Sequence, residues 1–408
     1  MESYLQTNPK PKKRPTWVQA IALCLAVAAI AVAVTGVVLN RRYEKKLAES
    51  DVSRYSKLEE IRALLDAYYV GQYTDEDVME MLSAAYMYGI NDKWAYYTAA
   101  ADMQELYEDK TGTYAGIGVT VTLDADTGML IVSDVTPGSP AEEAGICRLD
   151  KLYAVEGELV SALGQDATVS KVRGEVGTFV NLTILRNGLY QEMRVERRIV
   201  ESNSVTSELI DGHVGLIRIS QFTTVAATQF EQKLAHLLEI GADSLIIDVR
   251  NNPGGSLNTL ISILDLLMPK GEVFIERDKA GNENRISVDD KYCNLPLIML
   301  TNEYSYSAAE YLAAVTQEQG RSYVIGKPTT GKGEGQQTFN LSDGSAVSFS
   351  VIKYFTPNGV SIGEMGGITP DMVVDMTYEQ EAKIGSVDYS EDPQIVAALA
   401  YMAEVLLK

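Results

Sequence analysis

Apolar residues fall along this chain in four successive patterns, and each predicts a different kind of element. From Trp17 to Leu39 the sequence is apolar apart from Gln19, Thr35 and Gly36. As a helix at 1.5 Å per residue this run would reach roughly 34 Å, enough to cross a bilayer. It predicts one transmembrane span over 16–40, with a cleaved signal peptide or a buried core helix as alternatives. Over 43–110 the pattern is helical: Leu58, Ile61, Leu64 and Leu65 recur at helical spacing, as do Val78, Met81, Leu82 and Ala85. Over 111–200 short apolar runs (114–119, 129–132, 180–186) are punctuated by glycine and proline, which predicts a β-rich domain. From Val214 strands alternate with helices, the order of an α/β core. A strand at 214–219 precedes an amphipathic helix at 224–240, an apolar strand at 244–249 and a helix at 257–267. Strands at 296–300 and 347–355 follow, and the segment 381–408 ends in a helix from Pro393. The fold class is therefore multidomain α+β.

Charge and composition narrow the function. At 408 residues the chain has room for two or three domains. A formal net charge of −21 argues against a nucleic-acid binder, which would need clustered Lys and Arg to track phosphates. The three cysteines, Cys24, Cys147 and Cys293, have no metal-binding spacing, and no metal is expected. The two histidines, His213 and His236, sit at a strand mouth and in an amphipathic helix. Neither has the context that a Ser-His-Asp protease needs, and their scarcity argues against a histidine zinc site.

The chemistry points elsewhere. The strand at 296–300 gives way to Thr301-Asn302-Glu303-Tyr304-Ser305-Tyr306-Ser307-Ala308-Ala309-Glu310, and later comes Thr330-Gly331-Lys332-Gly333-Glu334-Gly335-Gln336. A serine where a strand meets a small-residue helix, with a lysine between glycines, can make a nucleophile and its base. A serine hydroxyl needs a neighbouring base to attack an amide, and a desolvated lysine serves if its pKa falls from about 10.4 towards 7. Taken singly, Ser307 reads as an N-cap and Lys332 as a solvated loop residue.

Together the two segments resemble the C-terminal processing peptidases, the tail-specific serine proteases with a PDZ domain. That resemblance implies Ser307 as nucleophile, Lys332 as base and Gln336 as the residue that holds the lysine. Tyr306 and Ala309 depart from the family pattern S-A-S-A-S-E. The turn Asp248-Val249-Arg250-Asn251-Asn252-Pro253-Gly254-Gly255 matches one that supplies an oxyanion-hole amide in the family. The resemblance thus implies a hole made by Ala308 with Gly254 or Gly255. The family's catalytic domain is a crotonase-like (ClpP-like) α/β fold, expected here over 201–380, and no cofactor is implied.

The β-rich block resembles a PDZ domain of the protease-linked kind. Gly116-Ile117-Gly118-Val119 can turn backbone N–H groups towards a carboxylate beside a strand edge that pairs with an extended peptide. Arg173, in Arg-Gly-x-x-Gly-Thr, reads either as a relay to the catalytic domain or as a surface charge. Leu149 stands where a glycine is common before Asp150.

The expected organisation is a cytoplasmic head (1–15), a membrane anchor (16–40), a helical preamble (43–110) that packs on the core or dimerises, the PDZ domain (111–200), the peptidase core (201–380) and the terminal segment (381–408). The expected function is a single-pass, membrane-anchored serine endopeptidase at the cell membrane. Its catalytic domain would lie outside the cytoplasm and cut proteins selected by their free C-terminal tails. A catalytically inert, membrane-tethered PDZ receptor is the alternative. A trypsin-like protease with a PDZ domain is a third reading, disfavoured by the histidines.

Overall fold

Strands that are apolar on both faces need cover on both, and two central strands of this chain are of that kind. The computed structural model describes residues 41 and 55–406. It divides into two units, Met1–Val78 and Met79–Lys408. In the first, the helix Ser56–Tyr68 has no buried residue. Its Arg62 pairs with Asp75 at 2.7 Å and its Asp66 accepts a hydrogen bond from the Tyr73 hydroxyl at 2.6 Å.

The transmembrane expectation is corrected here. Among the described residues no helix is long and apolar enough to cross a membrane. The longest, Asp75–Gly89, has 15 residues, about 22 Å of helix against a hydrocarbon core of about 30 Å. The run 17–39, on which the expectation rested, lies outside the described residues. The anchor therefore drops out of the fold class, the function, the membrane partner and the single-pass localisation alike.

Within the second unit, the β-rich domain is an antiparallel sheet in the order Val119–Leu123, Leu130–Val135, Lys151–Val155, Phe179–Arg186, Leu189–Glu196. Alternating residues of these strands (Leu130 and Val132; Val180, Leu182 and Ile184) face one core with Leu152 and Val195, as period-two patterning requires. The helix Gln165–Val172 turns Thr168 and Val172 inward. The chain enters and leaves this domain side by side, through Thr113–Gly116 paired with Arg198–Glu201.

Leu149 occupies the left-handed region at φ 73° with its side chain exposed, which explains why glycine suits the position. That conformation costs a branched residue about 1–2 kcal/mol, and glycine gives back about half through its greater freedom in the unfolded chain. Leu149→Gly should accordingly raise the stability of this domain by about 0.5–1 kcal/mol in urea unfolding. A loss instead would mean that the leucine side chain offsets its own strain.

The α/β domain is built on a six-stranded sheet in the order Val205–Ile210, Val214–Ile219, Ser244–Asp248, Leu297–Thr301, Tyr323–Gly326, Met372–Val373. The first pair is antiparallel and the others are parallel. Ser244–Asp248 and Leu297–Thr301 are buried at every residue, as central parallel strands covered on both faces must be. On one face the helices Ala226–Glu239, Leu257–Leu267 and Ala308–Glu318 contribute Phe230, Leu264 and Leu312 to a large core. On the other, Ile246, Ile298 and Leu300 meet Ile395 and Ala398 of the terminal helix Pro393–Tyr401. A second, antiparallel sheet joins Glu334–Asn340, Ala346–Phe355, Gly271–Asp278 and Glu283–Val288. Tyr96–Thr98, in the stretch expected to be helical, adds to it as a strand along 346–348. Local pattern could not give this, because the pairing partner lies far along the chain.

Candidate active site

The register Asp248↔Leu300 sets two neighbouring parallel strands to end at the same level, so the loops that follow them are adjacent. Ligands in open α/β sheets sit at such carboxyl ends. The loops are stitched together: Asn251 N donates to Asn302 Oδ1 (2.9 Å), Asn302 Nδ2 to Asn251 Oδ1 (2.7 Å), Ser305 Oγ to the Val249 carbonyl (2.8 Å) and Tyr306 N to the Asn252 carbonyl (3.1 Å).

Ser307 sits at the start of Ala308–Glu318 with φ 58° and ψ −123°, a conformation that costs a non-glycine residue about 1–3 kcal/mol. The helix behind it is buried from Ala308 through Thr316, and its alanines let it lie close to the sheet. Gly254 packs beneath the serine, since a Cβ there would stand 2.7 Å from that of Ser307. The Gly254 N–H donates to Asn252 Oδ1 at 2.7 Å and is thereby engaged. The N–H groups of Gly255 and Ala308 make no hydrogen bond among the described residues. The geometry therefore separates the two glycines: Gly254 is a packing site and Gly255 presents a free donor.

Lys332 reaches the same place from the loop between Tyr323–Gly326 and Glu334–Asn340. It is 8% exposed. Its Nζ donates to Gln336 Oε1 at 2.6 Å and lies 4.7 Å from the centroid of the Trp94 ring. Burial pushes its pKa down to about 8, against the opposing pull of Asp92, Glu334 and Glu310. Ser307 and Lys332 line one cavity of about 640 Å³ together with Ala308, Gly255 and Gln336. Phe222, Leu260, Phe274 and Tyr311 form its apolar side. The lysine ammonium bonds Gln336 rather than the serine hydroxyl, which lies against the Tyr354 hydroxyl.

One residue that the sequence reading did not single out ties the two halves together. Glu310, fully buried, accepts from Ser307 N (3.0 Å) and Lys332 N (2.8 Å) on Oε2, and from Gly331 N (2.8 Å) and Thr329 Oγ1 (2.5 Å) on Oε1. Burial raises its pKa, and these four donors hold it back. Its signal was present as Ser307-x-x-Glu310, a capping-box spacing. Behind the turn 251–255, Arg250 bridges Asp248 and Asp392, each at 2.8 Å, with both partners buried. The Arg250 guanidinium and its neighbours hold Asp248 at about 2, although burial alone would raise it.

In the β-rich domain, Gly116, Ile117, Gly118 and Val119 line a groove of about 300 Å³ whose far wall is the helix Gln165–Val172. The carbonyls of Ile117 and Gly118 accept from Ala141 and Thr136, while their N–H groups have no partner among the described residues. Val119–Leu123 is an edge strand of its sheet. Arg173 also borders the groove, pairs with Glu108 at 2.8 Å and lies over the Tyr114 ring.

Comparison with known proteins places this geometry in context. Residues 213–374 match the model of peptidase family S41, and residues 107–185 match that of the PDZ domain. A carboxyl-terminal-processing protease of Synechocystis sp. is 32% identical over 368 residues, 88% of this chain and 79% of that protein. The carboxy-terminal processing protease CtpA of Bacillus subtilis is 28% identical over 360 residues, 88% of this chain and 74% of that protein. The crystal structure of an S41 protease from Bacteroides fragilis superposes with a TM-score of 0.51 at 16% identity, covering 79% of this chain and 90% of that one; this likeness concerns the fold.

Proposed function

We infer the chemistry of this site from one premise: the chain belongs to peptidase family S41 and is a serine-type endopeptidase of the carboxyl-terminal-processing kind. Neutral Lys332 takes the proton of Ser307 Oγ as that oxygen attacks the scissile carbonyl. For this the serine hydroxyl turns from Tyr354 towards the lysine, a change of the sort that substrate binding brings about in sites of this type. The tetrahedral oxyanion is held by the N–H groups of Ala308 and Gly255. Lys332 then returns the proton to the leaving amine, and water, deprotonated the same way, releases the acyl group. Gln336 keeps the lysine nitrogen in place between steps. Two preorganised donors matter because losing one typically costs about 3–4 kcal/mol of barrier. The observation that carries this reading is the pairing of a buried lysine, its pKa brought down to about 8, with a strained serine in one cavity. Incubating the chain and its Ser307→Ala variant with an unfolded protein tests it: cleavage by the first and not the second is expected, and equal cleavage would refute the assignment.

Substrates are chosen by their carboxyl ends. A free carboxylate docks on the Ile117 and Gly118 N–H groups while the tail adds as a strand along Val119–Leu123 and its apolar side chains fill the groove. Arg173 reports occupancy through Glu108 on the helix Met103–Thr111. That helix reaches the catalytic cavity, which Leu106, Asp109 and Lys110 help to line. A relay needs the tail to favour one of two arrangements, because a ligand with equal affinity for both shifts nothing. We expect a substrate with a free apolar tail to be cut faster than its amidated form or one ending in Asp-Asp. Arg173→Ala should shrink that preference while sparing a short peptide too small to span both sites. Equal rates for all three substrates with the unmodified chain would rule out tail selection.

A further inference from the structure

The segment ahead of the PDZ domain enters the catalytic site. Tyr96–Thr98 pairs with 346–348, and Asp92 pins the residues before it, accepting from Trp94 N at 3.0 Å and Ser350 N at 2.8 Å. Those two N–H groups keep Asp92 below its usual pKa, although burial alone would raise it. The Trp94 ring then stacks on Tyr306, with centroids 5.8 Å apart and planes 19° apart, directly beside the residue that precedes the nucleophile. Lys332 Nζ lies 4.7 Å from the Trp94 centroid and 6.0 Å from that of Tyr306. The Trp94 carbonyl accepts from Gln336 Nε2. With the amide nitrogen so engaged, Gln336 must turn its oxygen towards Lys332. Finally, the indole Nε1–H is buried with no hydrogen-bond partner among the described residues. An orphan buried donor is costly, so this ring is not placed where its own polar group would be most stable.

We propose that Trp94 is a positioning residue for Lys332, its ring excluding water from the lysine and its carbonyl fixing the Gln336 amide, so that docking of the 91–98 segment makes the base competent. The proposal rests on the Ser307–Lys332 reading and extends it to a part of the chain outside the α/β domain. Two effects of the ring oppose each other. Its face attracts an ammonium, which favours the charged lysine, whereas exclusion of water favours the neutral one. Exclusion wins here, since burial is the largest influence on Lys332 and its net shift is downward. The other charges facing it are Asp92 and Lys93 from this segment, Glu310 from the helix and Glu334 from the strand that follows its loop. Removal of the ring should thus raise the lysine pKa. A rise of about one unit takes the neutral fraction at pH 7 from roughly one in ten to one in a hundred.

The test reads the lysine directly. In the full chain carrying Ser307→Ala, the rate at which an amine-acylating reagent modifies Lys332 is followed by mass spectrometry between pH 7 and 10, with and without Trp94→Ala. The labelling midpoint is expected near 8 without the second change and about one unit higher with it, while Trp94→Phe stays near 8. Should Trp94→Ala fail to fold, Tyr306→Ala, which removes the stacking partner, is expected to shift the midpoint in the same direction. An unchanged midpoint in the folded variant overturns the proposal. In chains with Ser307 intact, Trp94→Ala should lose about tenfold in kcat/KM at pH 7 and recover as pH rises. A purely structural defect would scale the rate equally at every pH. If labelling shifts as expected but activity does not follow the same midpoint, the role of Lys332 as base fails, while the hold of Trp94 on the lysine stands.

Discussion

Ser307→Ala and Lys332→Ala are each expected to lower kcat by about 10⁴- to 10⁶-fold, because residues that act as a unit lose most of the rate when either goes. The unmodified enzyme should show kcat/KM rising through a midpoint near 8, where Lys332 gives up its proton. Stability should rise with pH as well. Folding lowers the lysine pKa from its usual value to about 8, so the native state is penalised most fully below pH 8. The penalty fades as pH rises through the unfolded value near 10.4. A shift of this size corresponds to about 3 kcal/mol. Lys332→Met, which keeps the length without the charge, should therefore melt higher than the parent at pH 7 while cutting nothing, and the difference should narrow towards pH 10. Calorimetry at both pH values and a cleavage assay check the two halves. Measurable turnover by the methionine variant would remove Lys332 from the role of base.

The second large effect is expected at Glu310. Glu310→Ala leaves three backbone N–H groups and the Thr329 hydroxyl without their acceptor. Each unpaired buried donor costs about 1–3 kcal/mol, so the loss should reach several kcal/mol in denaturant unfolding. Glu310→Gln is the finer probe. Both carboxylate oxygens accept two hydrogen bonds, so an amide nitrogen at either position faces two donors. Since the oxygens fix the backbone of Ser307 on one side and of Gly331 and Lys332 on the other, the glutamine variant should lose at least about 10²-fold in kcat, as a misplacement of about 1 Å can cost. KM should change much less, because Glu310 lies behind the reacting groups. A glutamine variant with full kcat would show that the serine and the lysine loop hold their relative position without this carboxylate.

The local geometry of the candidate site was legible in the chain wherever it depended on residues close together in sequence. Ser307 before a helix of small residues, Lys332 between glycines, the Asn-Asn-Pro-Gly-Gly turn and Gly-Ile-Gly-Val are local conformational requirements, and local requirements leave local patterns. The alternation of strands with amphipathic helices from Val214 likewise announced an α/β core, since burial on a periodic element imposes its period on the residues. What the chain alone could not decide was where distant segments meet. Gly254 and Gly255 are equivalent as letters; the Asn252 side chain, by occupying one N–H and leaving the other open, distinguishes them. Glu310 carried a capping-box spacing, yet its link to Lys332 exists because the loop from Thr329 to Lys332 folds onto the helix start. Tyr96–Thr98 lies in a stretch whose neighbours are helical, and becomes a strand because Ala346–Phe355 presents it with an open edge. That same pairing brings Trp94 over the lysine. The apolar run 17–39 marks the opposite limit, for hydropathy measures the preference of a segment for an apolar medium and is silent on which medium it meets.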